Sequence, residues 1–312
     1  MAFKDVGARF MARCLGYFNK NNNNKVTVLV ATSGDTGAAV ANGFLGVKNV
    51  KVVILYPSGK VSAIQEKQLT THGQNISALE VKGTFDDCQA MVKTAFLDKN
   101  LTDMMQLTSA NSINVARWLP QLFYFMFAYK ILHKKHKDLV FSVPSGNFGN
   151  VCAGMMAQQL GLPIKHFIAS NNDNNVVTKY LRTALYKPEP SVQTISNAMD
   201  VGDPSNFIRI QELYKNNFET LKENLSSFSF SNDETKSAML EIYNRYNYVA
   251  DPHGAVGYLG CKAYLEKNPT AYCVFFETAH PTKFLDIVEA VVKKEQVLPP
   301  QIKSVMGKIK EA

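Results

Sequence analysis

The sequence has no run of apolar residues approaching the roughly 20 needed to span a bilayer. It has no cysteines at CxxC spacing, no GxGxxG and no GxxxxGK[ST]. Each absence removes a class. The first argues against a membrane-spanning chain. The second leaves five unpatterned cysteines, Cys14, Cys88, Cys152, Cys261 and Cys273, which read as reduced thiols rather than a disulfide framework or a metal site. The third removes the P-loop and the dinucleotide-binding dehydrogenase. Acidic residues are also scarce, 26 against 34 Lys and Arg. The dense basic run, HKKHK at 133–137, follows the apolar QLFYFMFAYKIL, where a helix C-terminus favours cations. With no aromatic-studded basic stripe, nucleic acid is not the expected partner, and a small phosphorylated ligand fits the charge better. The first twenty residues hold an Asp and two Arg with no unbroken apolar stretch, so a cytoplasmic location is expected.

At 312 residues and 46% hydrophobic, the chain is long enough for one large or two medium domains with filled cores. Strand and helix patterns alternate. KVTVLVA (25–31) is a β-branched strand running into TSGDTG and the small-residue helix AAVANGFLG. NVKVVILYP (49–57), a helix in SAIQEKQLTTHG, the strand ISALEVKG and the helix FDDCQAMVKTAFLD follow. A long apolar helix is predicted over about 114–132, then the strand DLVFSVPSGNFGN and the helix VCAGMMAQQLGL. Further on are the strand IKHFIASNN, an Asn- and Pro-rich loop region, helices around 206–224 and 233–247, and the strand AYCVFFETAHP. The order predicts an α/β fold with parallel sheets flanked by helices. The exposed charge run suggests a boundary near 137, giving domains 1–137 and 138–312. The asparagines 21–24 read as a solvated connector.

Open α/β sheets bind ligands at strand C-terminal ends, and three segments lie there. TSGDTG (32–37) puts hydroxyls, a carboxylate and two glycines at a strand-to-helix turn, suited to an anion or to plain helix capping by Ser33, Asp35 or Thr36. In PSGNFGN (144–150), Gly146 and Gly149 permit the curvature that converges backbone amides on phosphate oxygens, or form a simple turn. ETAHP (277–281) ends the last strand, with Thr278 ranked above His280. Between the first two, Ser109, Asn111, Ser112 and Asn114 precede Arg117, either a bidentate phosphate site or a capping cluster with a surface arginine.

Two phosphate-cradle candidates on one α/β scaffold, with a lysine in AFKDVGARF, change the weighing. The segments AFKDVGARF, TSGDTGAAVA, YPSGKVSAIQEKQ, SANSINVAR, VPSGNFGN, SNAMDVGDPSNF, DPHGAVGY and ETAHPTKF resemble, in order, those of the threonine synthase family, part of the tryptophan-synthase-like group of pyridoxal-phosphate enzymes. The likeness runs from residue 1 to about 300. It implies two open, largely parallel sheets with the active site in the cleft between them, and conversion of O-phosphohomoserine and water to threonine and phosphate.

Residue by residue, the resemblance gives Lys4 as the amine that bonds the cofactor's aldehyde and serves as catalytic base. It gives Gly146, Asn147, Phe148, Gly149 and Asn150 as the loop holding the phosphate of pyridoxal 5′-phosphate. Thr278 matches the hydroxyl meeting the pyridine nitrogen, with Thr282 close by in sequence. Ser33, Asp35 and Thr36 match the loop for the substrate's amino-acid end, and Ser112, Asn114 and Arg117 the substrate-phosphate site. Family members carry a segment ahead of the lysine motif, whereas this chain opens at Met1, which implies a missing N-terminal portion. A lysine so near the start is then expected to fray into solvent with an amine pKa of about 10. The alternatives are a catalytically silent fragment or a related pyridoxal-phosphate phospho-lyase or dehydratase.

Overall fold

A computed structural model describes residues 2–20 and 25–312; the asparagine run 21–24 lies outside the described residues. The chain divides into two compact units, Met1–Arg117 with Val297–Ala312, and Trp118–Gln296. The boundary expected near 137 therefore falls inside the second unit. HKKHK marks a charged helix end, and charge alone says nothing about where contacts thin out.

In the first unit, β1 (Val26–Ala31), β2 (Val50–Pro57), β3 (Ile76–Val81) and β4 (Gln106–Ser109) form a parallel sheet in the order β3-β2-β1-β4. Successive side chains on a strand point to opposite faces. Val28 and Val30 thus join one core cluster with Ala8, Met11, Val40 and Phe44 from the helices Phe3–Phe18 and Asp35–Phe44. Leu29 and Ala31 join a second with Cys88 and Val92 of the helix Phe85–Leu97. The C-terminal segment returns to this unit. Lys310 bridges Glu66 (2.8 Å) and Glu80 (2.7 Å), and Lys67 Nζ donates to the Lys308 carbonyl.

The second unit repeats the plan. Here β5 (Leu139–Pro144), β6 (His166–Asn171), β7 (Leu225–Ser229) and β8 (Tyr272–Phe275) pair in parallel in the order β7-β6-β5-β8. One face of this sheet packs an aromatic core in which Phe125 sits edge-on to Phe141 and Phe167. On β5 and β6, Ser142 and Ser170 hydrogen-bond each other, and Ser142 Oγ donates to the Gly257 carbonyl of the helix Pro252–Lys267.

Three expectations change. The helix over 114–132 is broken into Val115–Trp118, a 3-10 turn Leu119–Gln121 and Leu122–Leu132, because Pro120 cannot donate to a continuous ladder. The 206–224 helix is two, Phe207–Leu213 and Phe218–Asn224, separated where Lys215 and Asn216 take left-handed backbone angles. Lys4 does not fray: it lies in the first turn of Phe3–Phe18, half-buried between the buried Phe3 and Asp5. Among the described residues, no helix is long and apolar enough to cross a membrane.

Candidate active site

The turn after β5 is built to present backbone amides. Ser145 is fixed by its N–H on the Ser170 carbonyl and its hydroxyl on the Val143 carbonyl. Asn147 Oδ1 accepts from the Ser205 N–H and hydroxyl, and the Asn147 carbonyl accepts from Asn206 Nδ2 (3.0 Å). Phe148, fully buried, takes φ +60° and packs edge-on against Phe207. The helix Gly149–Gln159 starts there with no side-chain cap. Asn150 Nδ2 donates back to the Pro144 carbonyl (2.7 Å), and its Oδ1 accepts the Val151 N–H. The backbone N–H groups of residues 146 to 150 donate to nothing among the described residues. Orphan donors at a helix N-terminus, converging in a turn, form an anion cradle.

Gly146 is required by close approach. A Cβ there would lie 2.8 Å from the Ala198 carbonyl oxygen and 2.9 Å from Met199 Cα, both backbone. That strap, residues 194–200, is pinned in turn by Asp200. Its carboxylate accepts from the Thr194 N–H, the Thr194 hydroxyl and Asn172 Nδ2, and burial raises its pKa to about 6 against those bonds.

The turn after β1 behaves differently. Thr32, fully buried, accepts the N–H groups of both Gly34 (2.9 Å) and Gly37 (2.8 Å) on its hydroxyl. Asp35 is buried at the first position of Asp35–Phe44 and accepts from Gln65 Nε2 (3.1 Å), while Ser33 and Thr36 are half-buried. Gln65 escaped sequence reasoning, although the S-x-x-Q spacing from Ser62 was a visible helix-start signature. It forms the capping box there and reaches Asp35 as well.

Arg117 is not a surface arginine. It is 3% exposed, with Nε donating to the Ala110 carbonyl (2.7 Å) and Nη1 to the Lys4 carbonyl (3.1 Å). Burial lowers its pKa to about 10, with the Asp5 charge opposing. The structure therefore joins Lys4 and Arg117, and Asp5 caps the same turn by accepting the Ala2 N–H. Asn114 acts as a local cap, donating to the Ser109 carbonyl and accepting the Ala116 N–H, and Ser112 is half-buried beside it. Asn111, passed over as a site residue, ties the ends of β4 and β1 through both backbone groups of Ala31.

Beyond β8, Thr278 is half-buried, and its hydroxyl has no partner among the described residues. Thr282 is buried and engaged: its hydroxyl lies 2.8 Å from His280 Nδ1, which caps the 3-10 turn Pro281–Phe284. Of the two threonines, only Thr282 is engaged by a neighbouring side chain among the described residues. Ser205, Asn206 and the strap at Ala198–Met199 are the cradle components missed by sequence reasoning. Their segment, SNAMDVGDPSNF, carries no local signal of that role.

Comparisons with known proteins align with this geometry. The family model described as "Pyridoxal-phosphate dependent enzyme" matches residues 1–276, and "Threonine synthase, C-terminal" matches residues 254–311. The threonine synthase of Buchnera aphidicola subsp. Baizongia pistaciae is 48% identical over 305 residues, covering 97% of this chain and 70% of the relative. That of Escherichia coli strain K12 is 45% identical, covering 97% and 69%. Among solved structures, the E. coli threonine synthase superposes with a TM-score of 0.93 at 44% identity, covering 99% of this chain and 71% of that one. A PLP-bound threonine synthase from Brucella melitensis gives 0.90 at 34% identity, covering 100% and 72%.

Proposed function

The chain belongs to the threonine synthase family of pyridoxal-phosphate-dependent enzymes, and on that premise we propose that it converts O-phosphohomoserine and water to threonine and phosphate. The cofactor is pyridoxal 5′-phosphate. The residues present fit it: residues 146 to 150 offer a run of backbone donors without protein acceptors, which suits a phosphate tail. This observation carries the reading.

Gly146, Asn147, Phe148, Gly149 and Asn150 would hold the cofactor's phosphate, Thr278 its ring nitrogen and Lys4 its aldehyde carbon. When bound, the cofactor supplies an electron sink that makes the α-hydrogen of an attached amino acid acidic. Lys4 supplies the proton traffic, an amine that accepts a proton from a substrate carbon and returns it. Arg117 steadies that amine through the Lys4 carbonyl, in a helix turn capped by Asp5. Ser33, Asp35 and Thr36 orient the substrate's amino-acid end, with Gln65 fixing the Asp35 carboxylate. Ser112, Asn114 and Arg117 receive the substrate's phosphate and stabilise its charge as it departs from the γ-carbon, water then adding at the β-carbon. The smaller domain, with the lysine and substrate loops, and the larger, with the cofactor-phosphate loop, divide this work. Five free cysteines support a reducing, cytoplasmic setting.

The test is incubation of the purified chain with pyridoxal 5′-phosphate, borohydride reduction and peptide mass spectrometry. A pyridoxyl group on Lys4, and none after Lys4→Ala, is the expected result. A chain that takes up no cofactor, or that is labelled elsewhere with Lys4 intact, overturns the reading.

A further inference from the structure

Residue 277, immediately before Thr278, is a glutamate whose two carboxyl oxygens are both buried, and neither receives an N–H or O–H from the surrounding groups. Its seat is narrow. A Cβ on Gly254 would lie 2.2 Å from a Glu277 carboxyl oxygen, so only glycine leaves room for the group. The neighbour within hydrogen-bonding reach is another carboxylate, Asp251, fully buried at the N-cap of Pro252–Lys267. Asp251 Oδ1 takes the His253 N–H of the backbone (2.9 Å) and the His253 ring at Nδ1 (2.6 Å), while Oδ2 has no donor. On the other side of the ring, His253 Nε2 accepts the Ala198 N–H (3.2 Å). Nε2 therefore carries the lone pair, and the ring proton sits on Nδ1, pointing at Asp251. Ala198 is the residue whose carbonyl lies against Gly146.

Two buried carboxyl groups in contact, with three oxygens lacking donors, are satisfied only if the pair holds a proton. Asp251 already receives two bonds from His253. Those bonds favour its charged form, whereas Glu277 receives none. Burial, and after it the Asp251 charge, push Glu277 far up. The proton thus belongs on Glu277, donated to Asp251 Oδ2.

We infer that Glu277 is a positioning residue that stays protonated and anchors one hydrogen-bonded line, Glu277 to Asp251 to His253 to the Ala198 N–H, tying the Thr278 end of the cofactor site to the Gly146 end. The inference rests on the functional reading above for what the two ends bind. The line itself is a property of one compact unit. Its use is dimensional: a rigid ring-and-phosphate ligand is held at two points, and the line fixes Thr278 and the strap behind Gly146 in one framework.

Two measurements test it, on the wild-type chain and on Glu277→Gln and Glu277→Ala. The first is the affinity for pyridoxine 5′-phosphate, which lacks the aldehyde and so cannot bond Lys4. Glu277→Gln keeps a donor toward Asp251 and should bind within about twofold of wild type. Glu277→Ala leaves Asp251 Oδ2 unpaired and should bind on the order of tenfold more weakly. The second is urea unfolding against pH. The folded-state pKa of Glu277 lies above its unfolded value, so folded chain holds a proton that unfolded chain lacks. Its stabilisation is complete at low pH and lost as pH rises.

Between about pH 6 and 9, the folding constant of Glu277→Gln relative to wild type should therefore climb with pH, approaching tenfold per unit. The groups facing Glu277, namely Asp251, His253, Tyr248 and, through Asp251, His280, are common to both proteins and cancel in the ratio. A flat ratio, or Glu277→Ala binding the analogue as wild type does, overturns the inference. Should Glu277→Ala not fold, the ratio for Glu277→Gln decides alone. Wild-type chain that binds neither the analogue nor pyridoxal phosphate would overturn the functional reading instead, with the pH ratio still judging the proton.

Discussion

The two sheets have the same strand order, and β1 and β5 occupy equivalent places in them, each leading through a glycine-containing turn into a helix. The turns have opposite characters. After β1, a threonine hydroxyl accepts two of the turn's N–H groups, and an aspartate opens the helix. After β5, the polar side chains bond carbonyls, a hydroxyl and the N–H groups of Ser205 and Val151, no acid stands in the first helical turn, and the five N–H groups of residues 146 to 150 remain open. Hydroxyl and glycine content does not identify an anion site. What identifies one is whether the turn's own side chains have already filled it. The hydroxyl-rich turn fills two of its own N–H groups, whereas the asparagine-rich turn leaves five without a protein acceptor, as the proposed phosphate site requires.

The largest expected effect breaks the open turn. Gly146→Ala drives a methyl into the Ala198–Met199 backbone, which has no flexible end to yield. Affinity for pyridoxine 5′-phosphate, followed by fluorescence titration, should fall on the order of a hundredfold, about 2.7 kcal/mol. Retained affinity would mean that the strap moves freely and the cradle is not shaped by it. A somewhat smaller effect breaks the sealed turn. Thr32→Val removes the acceptor of two buried N–H groups and should lower unfolding stability by about 2 kcal/mol in denaturant titration, whereas Thr32→Ser, which keeps the hydroxyl, should lose less. Cofactor-analogue affinity should move little in either variant, since the two turns have different tasks.

Much of this was legible in the sequence, and the rest was not for identifiable reasons. β1, β2 and β5 are continuous apolar runs bounded by turn residues, so they declare themselves. β4 and β7, QLTS and LSSFS, are short and hydroxyl-rich. They become strands because Val26–Leu29 and Phe167–Asn171 pair with them, and that cause lies elsewhere in the chain. Pro120 is a local signal that divides the helix over 114–132. The cradle's glycines are local and could be read directly, but Ser205 and Asn206 reach Asn147 from nearly sixty residues away. Arg117 among hydroxyls and amides suggests a surface phosphate site. Its burial and its bond to Lys4 exist only once the helix Phe3–Phe18 has packed beside it.

The smallest expected effect sharpens the comparison by giving the open turn the acid that the sealed turn already has. Asn150→Asp is nearly isosteric. Its remaining oxygen can still accept the Val151 N–H, but the donor to the Pro144 carbonyl is lost, and a negative charge enters the first turn of Gly149–Gln159. For the empty protein these changes nearly cancel. Losing a hydrogen bond costs about 1 kcal/mol, and a carboxylate near a helix N-terminus returns roughly half of that through the macrodipole. The lost hydrogen bond is common to the free and bound protein, but a bound phosphate also meets the new charge, which competes for the same amides and repels the ligand. Affinity for pyridoxine 5′-phosphate should therefore fall about tenfold, roughly 1.4 kcal/mol, while the denaturation midpoint shifts little. The gap should narrow at high salt, where charge repulsion is screened. An unchanged affinity would mean that the phosphate does not sit on these amides, and the difference between the two turns would then lie in their packing rather than in what they bind.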